Sequence, residues 1–81
     1  MTKSSDHFWV EIAKSQLLDR KIVEVRYLTD DEMDGLGWSQ KCVVMVLDDG
    51  NIIFPSRDDE GNDAGSLFTT NEEHPTLPII R

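Results

Sequence analysis

The stretch CVVMVLDDGNIIF, residues 42–54, decides the fold, because it has the pattern of two strands joined by a tight turn. Its first half is continuously apolar and rich in β-branched side chains, which is typical of a buried strand. The DDG sequence that follows ends in Gly50, which can adopt the positive φ angle that such turns need. We therefore predict a β-hairpin with strands at residues 42–47 and 51–54.

A further strand is predicted before the hairpin, at residues 22–28. There Val23, Val25 and Tyr27 alternate with charged residues. A period of two predicts a strand with one buried face, and the three apolar residues would form that face. Two shorter strands are predicted after the hairpin, at residues 66–70 and 77–80.

Helical signals occur in two places. Residues 5–20 carry apolar side chains at helical spacing over an arc of about 200°, which is wider than one packed face needs, and Leu18 lies outside that arc. Part of this amphipathic helix is therefore expected to face a partner. Farther along, Thr29 and Glu32 have the spacing of a capping box, which predicts a short helical turn that Gly35 or Gly37 ends.

Together these elements predict a mainly β (α+β) fold. The expected architecture is an N-terminal amphipathic helix, residues 5–20, followed by a small five-stranded SH3-like barrel, residues 22–80. The chain has 81 residues, a length that fits one compact domain, residues 1–81.

Charge and cysteine content exclude several classes of function. Acidic residues outnumber basic ones 16 to 8 and give a formal net charge of −8, which disfavours nucleic-acid binding. The single cysteine, Cys42, cannot form an intrachain disulfide and suits a reducing compartment. No segment has the apolar length of a signal peptide core or a membrane span. We expect a cytoplasmic protein with no membrane partner.

A polar segment, FPSRDDEGNDAGSLF at residues 54–68, is named the acidic loop. Its oxygen-bearing side chains suggest a divalent-cation site, although their spacing does not match the EF-hand. The candidate ligands are Asp58, Glu60, Asn62 and Asp63. The alternative is local structure, in which Asp58, Asn62 and Asp63 cap backbone N–H groups, Gly61 and Gly65 allow unusual backbone geometry, and Arg57 pairs with a neighbouring carboxylate. The spacing favours this alternative.

No catalytic constellation can be traced in the sequence. His7 and His74 stand near the termini in polar surroundings, and no nucleophile, base and oxyanion donors can be combined. Cys42 opens an apolar strand, where a free cysteine usually serves as a small hydrophobic residue. We therefore predict neither an enzyme nor a cofactor.

Three segments, KIVEVRYLTDDEMDGLGW, VLDDG and FPSRDDEGNDAGSLF, resemble small uncharacterised bacterial and phage proteins in which a short helix precedes a compact barrel. The resemblance covers residues 21–68. It implies a cytoplasmic single-domain protein. No activity is known for such proteins, so it implies no catalytic or binding residue.

The remaining hypothesis is a partner-binding surface. Large aromatic side chains contribute much of the energy at protein interfaces. The candidate residues are Phe8, Trp9, Leu18, Trp38, Asp59 and Glu60. Alternatively, Trp9 packs the helix against the barrel and Trp38 closes an open end of it. The sequence thus favours a non-catalytic protein-interaction module that binds a partner or a second copy, with divalent-cation binding as the alternative.

Overall fold

A computed structural model describes the backbone of residues 3–80 and the side chains of residues 6–80. Within these residues the chain forms two helices and five strands. In order they are α1 (Lys3–Leu17), β1 (Ile22–Tyr27), α2 (Asp30–Leu36), β2 (Val43–Leu47), β3 (Ile52–Ile53), β4 (Leu67–Phe68) and β5 (Thr76–Leu77).

The predicted hairpin is confirmed. Strands β2 and β3 pair antiparallel with Met45 opposite Ile53, and Gly50 in the turn has a φ of 90°. Strand β1 pairs antiparallel with the other side of β2, so the sheet has the order β1-β2-β3. A β-bulge interrupts the β1–β2 register between Ile22 and Glu24. This three-stranded sheet is the larger of the two sheets found in residues 3–80.

The predicted capping box is confirmed as well. The backbone N–H of Glu32 donates to the Thr29 hydroxyl, and the Glu32 carboxylate accepts from the Thr29 backbone N–H. The same carboxylate receives two hydrogen bonds from Arg26, at 2.7 and 3.0 Å, which tie α2 to β1. Gly37 ends the helix in the left-handed region, with a φ of 73°.

The core centres on β2, where the neighbouring residues Val43 and Val44 point to opposite faces of the three-stranded sheet and are both buried. One cluster of buried residues comprises Leu28, Trp38, Cys42, Val44 and Ala64. Partly buried Met33 and Phe54 pack against this cluster, and the ring of Phe54 meets that of Trp38 edge-on at 5.8 Å. Cys42 is fully buried, as expected for a small hydrophobic residue.

The predicted barrel is wrong. Strands β4 and β5 form a separate two-stranded sheet, so the five strands divide into sheets of three and two that do not close. The predicted strands at residues 66–70 and 77–80 are two residues each, at Leu67–Phe68 and Thr76–Leu77. An isolated bridge between Lys41 and Ile80 joins the chain beside β2 to the end of the described residues. Strands this short leave too few ladder hydrogen bonds to close a barrel.

The predicted burial of β1 is wrong for Val23 and Val25, which are exposed, whereas Tyr27 is half-buried. Burial falls instead on β2, where Val43, Val44 and Leu47 are buried. Helix α1 begins earlier than predicted and ends at Leu17 rather than residue 20. Asp19 stops it by adopting a left-handed φ of 63°.

None of the helices in residues 3–80 has the length and apolar character needed to cross a membrane.

Candidate functional site

The acidic loop is held by its own carboxylates. One oxygen of Asp58 accepts from the backbone N–H groups of Glu60 (3.1 Å) and Asn62 (3.2 Å), and the other accepts from the side-chain amide of Asn62 at 2.7 Å. The hydrogen bond from the Asn62 side chain, followed by that from its backbone, lowers the pKa of Asp58 below its ordinary value. Arg57 approaches the same carboxylate only at 3.9 Å. The Asp58 side chain therefore stabilises a turn.

Asp63 fastens the acidic loop to the bend after α2. Its carboxylate accepts from the Ser39 hydroxyl at 2.6 Å, from the Ser39 backbone N–H at 3.2 Å and from the Ala64 N–H at 2.8 Å. The Ser39 hydroxyl is the largest cause of the lowered pKa of this carboxyl. Both oxygens of Asp63 are thus used within the fold.

Trp38 joins the same contact from the core side. Its side chain is only 7% exposed, and its indole Nε1–H donates to the Gly61 carbonyl at 2.7 Å. A buried indole normally finds such an acceptor. Trp38, predicted as a partner-binding candidate, therefore lies in the core. The alternative to partner binding was that Trp38 packs within the fold.

The two glycines of the acidic loop serve different purposes. Gly61 has a φ of 71°, in the left-handed region. At Gly65 the constraint is space, because a Cβ there would lie 2.8 Å from the carbonyl carbon and oxygen of Ser56. Gly65 therefore lets the two sides of the loop approach closely, next to the bridge between Ser56 and Ala64.

The candidate cation ligands do not converge. Asp58, Asn62 and Asp63 are engaged in the turns described above, and within residues 3–80 no group of three or more His, Cys, Asp or Glu side chains could hold a metal ion. Asp59 and Glu60 are exposed. The acidic loop thus has the geometry of a structural connection with two carboxylates turned outward.

A different surface, on α1, is open. From residue 6 to residue 17 every side chain is exposed except that of Ile12, which is half-buried. Trp9 is 64% exposed and meets Phe8 edge-on at 5.2 Å. Leu18, just after the helix, is exposed too. The partner-binding candidates Phe8, Trp9 and Leu18 are therefore accessible, and Trp9 does not pack the helix against the body.

Helical geometry groups four of the exposed apolar residues of α1 along one side, and Phe8 lies outside this group. Trp9, Val10, Ala13 and Leu17 fall within an arc of about 100°, the width with which a surface helix normally faces its core. We call these four residues the apolar stripe. Val10 and Leu17 were missed as candidates, because their periodicity equally fits burial within the chain. The sequence shows the stripe but does not show whether the same chain covers it.

A pocket beside the acidic loop offers no catalytic arrangement. It has a volume of about 460 Å³, and Arg57 lines it together with Phe68, which is 77% exposed. Neither a carboxylate nor a histidine belongs to its lining. His7 and His74 are exposed elsewhere on the surface.

A scan against protein-family models found no match, and searches of curated proteins and of solved structures found none either. The resemblance to small bacterial and phage proteins therefore stays a prediction.

Proposed function

We propose that the protein is a non-catalytic interaction module that binds a protein partner through the apolar stripe of α1. The observation that carries this proposal is the exposure of nearly the whole helix. A helix of 15 residues is marginal in water by itself and normally draws its stability from packing an apolar face. A partner that covers the stripe would supply the missing packing.

The stripe favours a partner with an apolar groove. Trp9, Ala13 and Leu17 are spaced by four residues, as are the anchors of an amphipathic helix that lies in a groove. Trp9 combines a large apolar area with a polar N–H, which suits the centre of an interface. Phe8 and Leu18 would extend the contact on either side.

The exposed carboxylates of Asp59 and Glu60 are proposed as a second contact, which would favour basic groups on the partner.

The proposal keeps two further expectations. The free thiol of Cys42 supports a cytoplasmic location, and the acidic composition supports the expectation that the protein does not bind nucleic acid. Cation binding is not adopted, because Asp58 and Asp63 direct their carboxylates at the loop's own backbone.

The experiment compares capture of proteins from an extract of the source cell by three immobilised forms. These are the wild type, the double variant Trp9→Ser with Leu17→Ser, and the control Glu11→Gln with Ser15→Ala on the polar side of the same helix. A captured protein is then purified and its affinity for each form is measured. The stripe variant should lose binding, and the control should retain it.

The proposal fails if no captured protein binds the wild type more tightly than it binds the stripe variant and a separate Phe8→Ser, Leu18→Ser variant. Circular dichroism and thermal melts of each variant show whether the body of the fold is intact.

A further inference from the structure

Strand β1 is an uncovered edge of the three-stranded sheet. It occupies the outer position in the order β1-β2-β3, and its residue Val25 is 62% exposed. A sheet edge presents unpaired backbone N–H and C=O groups that can pair with another strand. Strand β1 is therefore a ready template for strand addition.

The register shows which backbone groups face outward. The Leu28 N–H donates to the Cys42 carbonyl at 3.1 Å, so the backbone hydrogen bonds to β2 fall at Leu28, Arg26 and Glu24. The N–H and C=O of Val25 therefore point away from β2. The Tyr27 carbonyl points the same way, and it accepts from the Arg26 guanidinium at 3.1 Å.

The other strand edges carry features that oppose pairing. Strands β3, β4 and β5 are two residues long each. Pro55 follows shortly after β3, and Pro75 and Pro78 flank β5. Short strands and prolines protect an edge against strand addition. Strand β1 has six residues and no proline, and the bulge near Ile22 restricts only its first half.

We propose that β1 pairs antiparallel with β1 of a second copy of this chain, around a two-fold axis at Val25. The two sheets then form one continuous sheet of six strands, in the order β3-β2-β1-β1-β2-β3. In this register Glu24 of each copy lies opposite Arg26 of the other, and the two Val25 side chains are neighbours on one face. The strand is thus complementary to itself, since opposite charges across strands stabilise pairing.

The distribution of charge also selects this region for self-association. Residues 1–26 hold five basic and four acidic residues, a net charge of +1, whereas residues 27–81 hold three basic and twelve acidic residues, a net charge of −9. Two copies repel one another through most of their surface but not through β1. Antiparallel pairing also brings Arg20 and Lys21, before the strand, towards Asp30 and Asp31, after it.

This inference goes beyond the proposed function, because it concerns a different surface and a different partner. The dimer uses β1 and leaves the apolar stripe of α1 available. Dimerisation should therefore survive the Trp9→Ser, Leu17→Ser variant, and capture of an α1 partner should survive disruption of β1. Either proposal can fail without the other.

The first test is sedimentation equilibrium of the full chain from micromolar to millimolar concentration at physiological salt. The wild type should show a reversible monomer–dimer equilibrium. Val25→Pro removes an N–H that faces away from β2 and should weaken the dimer by at least about tenfold, since it removes two symmetry-related hydrogen bonds. Val25→Thr keeps the N–H and the β-branched shape, and should dimerise like the wild type. A wild type that is monomeric throughout overturns the proposal.

The second test reverses charge across the axis. E24K places two pairs of cations opposite each other and should weaken the dimer about tenfold, whereas E24Q should weaken it less. R26E alone should dimerise poorly, and a mixture of E24K with R26E should form a heterodimer. Because Arg26 also holds Glu32, R26E is included only if its melting curve shows a folded protein. Dimerisation of E24K at the wild-type affinity contradicts the pairing, whatever R26E does.

Discussion

At the residue scale, a few side chains and glycines decide the shape of the acidic loop. Asp58 and Asp63 fold it, Gly61 and Gly65 permit its backbone path, and the Trp38 indole N–H holds it to the core. Charge density suggests a binding site in such a segment, but the contacts show that these carboxylates stabilise turns. The residues of this loop that remain open to a partner are Asp59 and Glu60, which are exposed.

Gly65 gives a direct test of this explanation. Gly65→Ala should lower the free energy of unfolding by about 1–3 kcal/mol or more, because the new methyl group meets the backbone of Ser56 rather than a side chain that can move. Gly35→Ala is the matched control. It lies within α2 with no atom near its Cβ position, so it should raise stability by about 0.5–1 kcal/mol. Urea denaturation of both variants checks this, and equal effects would contradict it.

At the element scale, the features predicted correctly depend on neighbours in sequence. The capping box of Thr29 and Glu32 and the turn at Gly50 are each determined within a few residues. The prediction of a barrel was wrong because closure of a barrel depends on pairing between strands that lie far apart in the chain. The exposure of Val25 and of the apolar stripe could not be predicted, since a periodic pattern identifies an apolar face but does not show whether anything covers it.

Helix α2 provides the prediction at this scale. Thr29→Ala removes the hydroxyl that accepts the Glu32 N–H, so it should lower the free energy of unfolding by about 1 kcal/mol. Thr70→Ala, at an exposed position after β4, is the control and should change it by less than about 0.5 kcal/mol. Thermal unfolding followed by circular dichroism measures both. A Thr29→Ala variant as stable as the control would show that the capping box contributes little.

At the scale of the whole molecule, carboxylates stabilised by hydrogen bonds make the fold sensitive to acid. The Arg26 guanidinium, helped by the Thr29 backbone, lowers the pKa of Glu32 to about 2 from its ordinary 4.5. The pKa values of Asp58 and Asp63 are lowered as well, by hydrogen bonds from Asn62 and Ser39. A carboxyl group whose pKa falls on folding stabilises the native state when it is ionised.

The sign of the pH dependence follows from these directions. The stabilisation by Glu32 is fully present above pH 4.5 and should be lost progressively as the pH falls from 4.5 towards 2. The urea midpoint of the wild type should therefore fall over that range. Glu32→Gln should be less stable than the wild type at pH 7 and should show a flatter decline. A Glu32→Gln curve parallel to that of the wild type would exclude Glu32 as a source of the acid sensitivity.

The central claim is that the apolar stripe of α1 is uncovered in the protein alone, and hydrogen–deuterium exchange tests it most directly. At a concentration at which sedimentation shows the chain to be monomeric, amides in residues 6–17 should exchange much faster than those of Val43–Leu47 in β2. Addition of a captured partner should slow exchange in α1 selectively. Protection of α1 equal to that of β2 in the isolated monomer would mean that the chain covers its own helix, and would contradict the account.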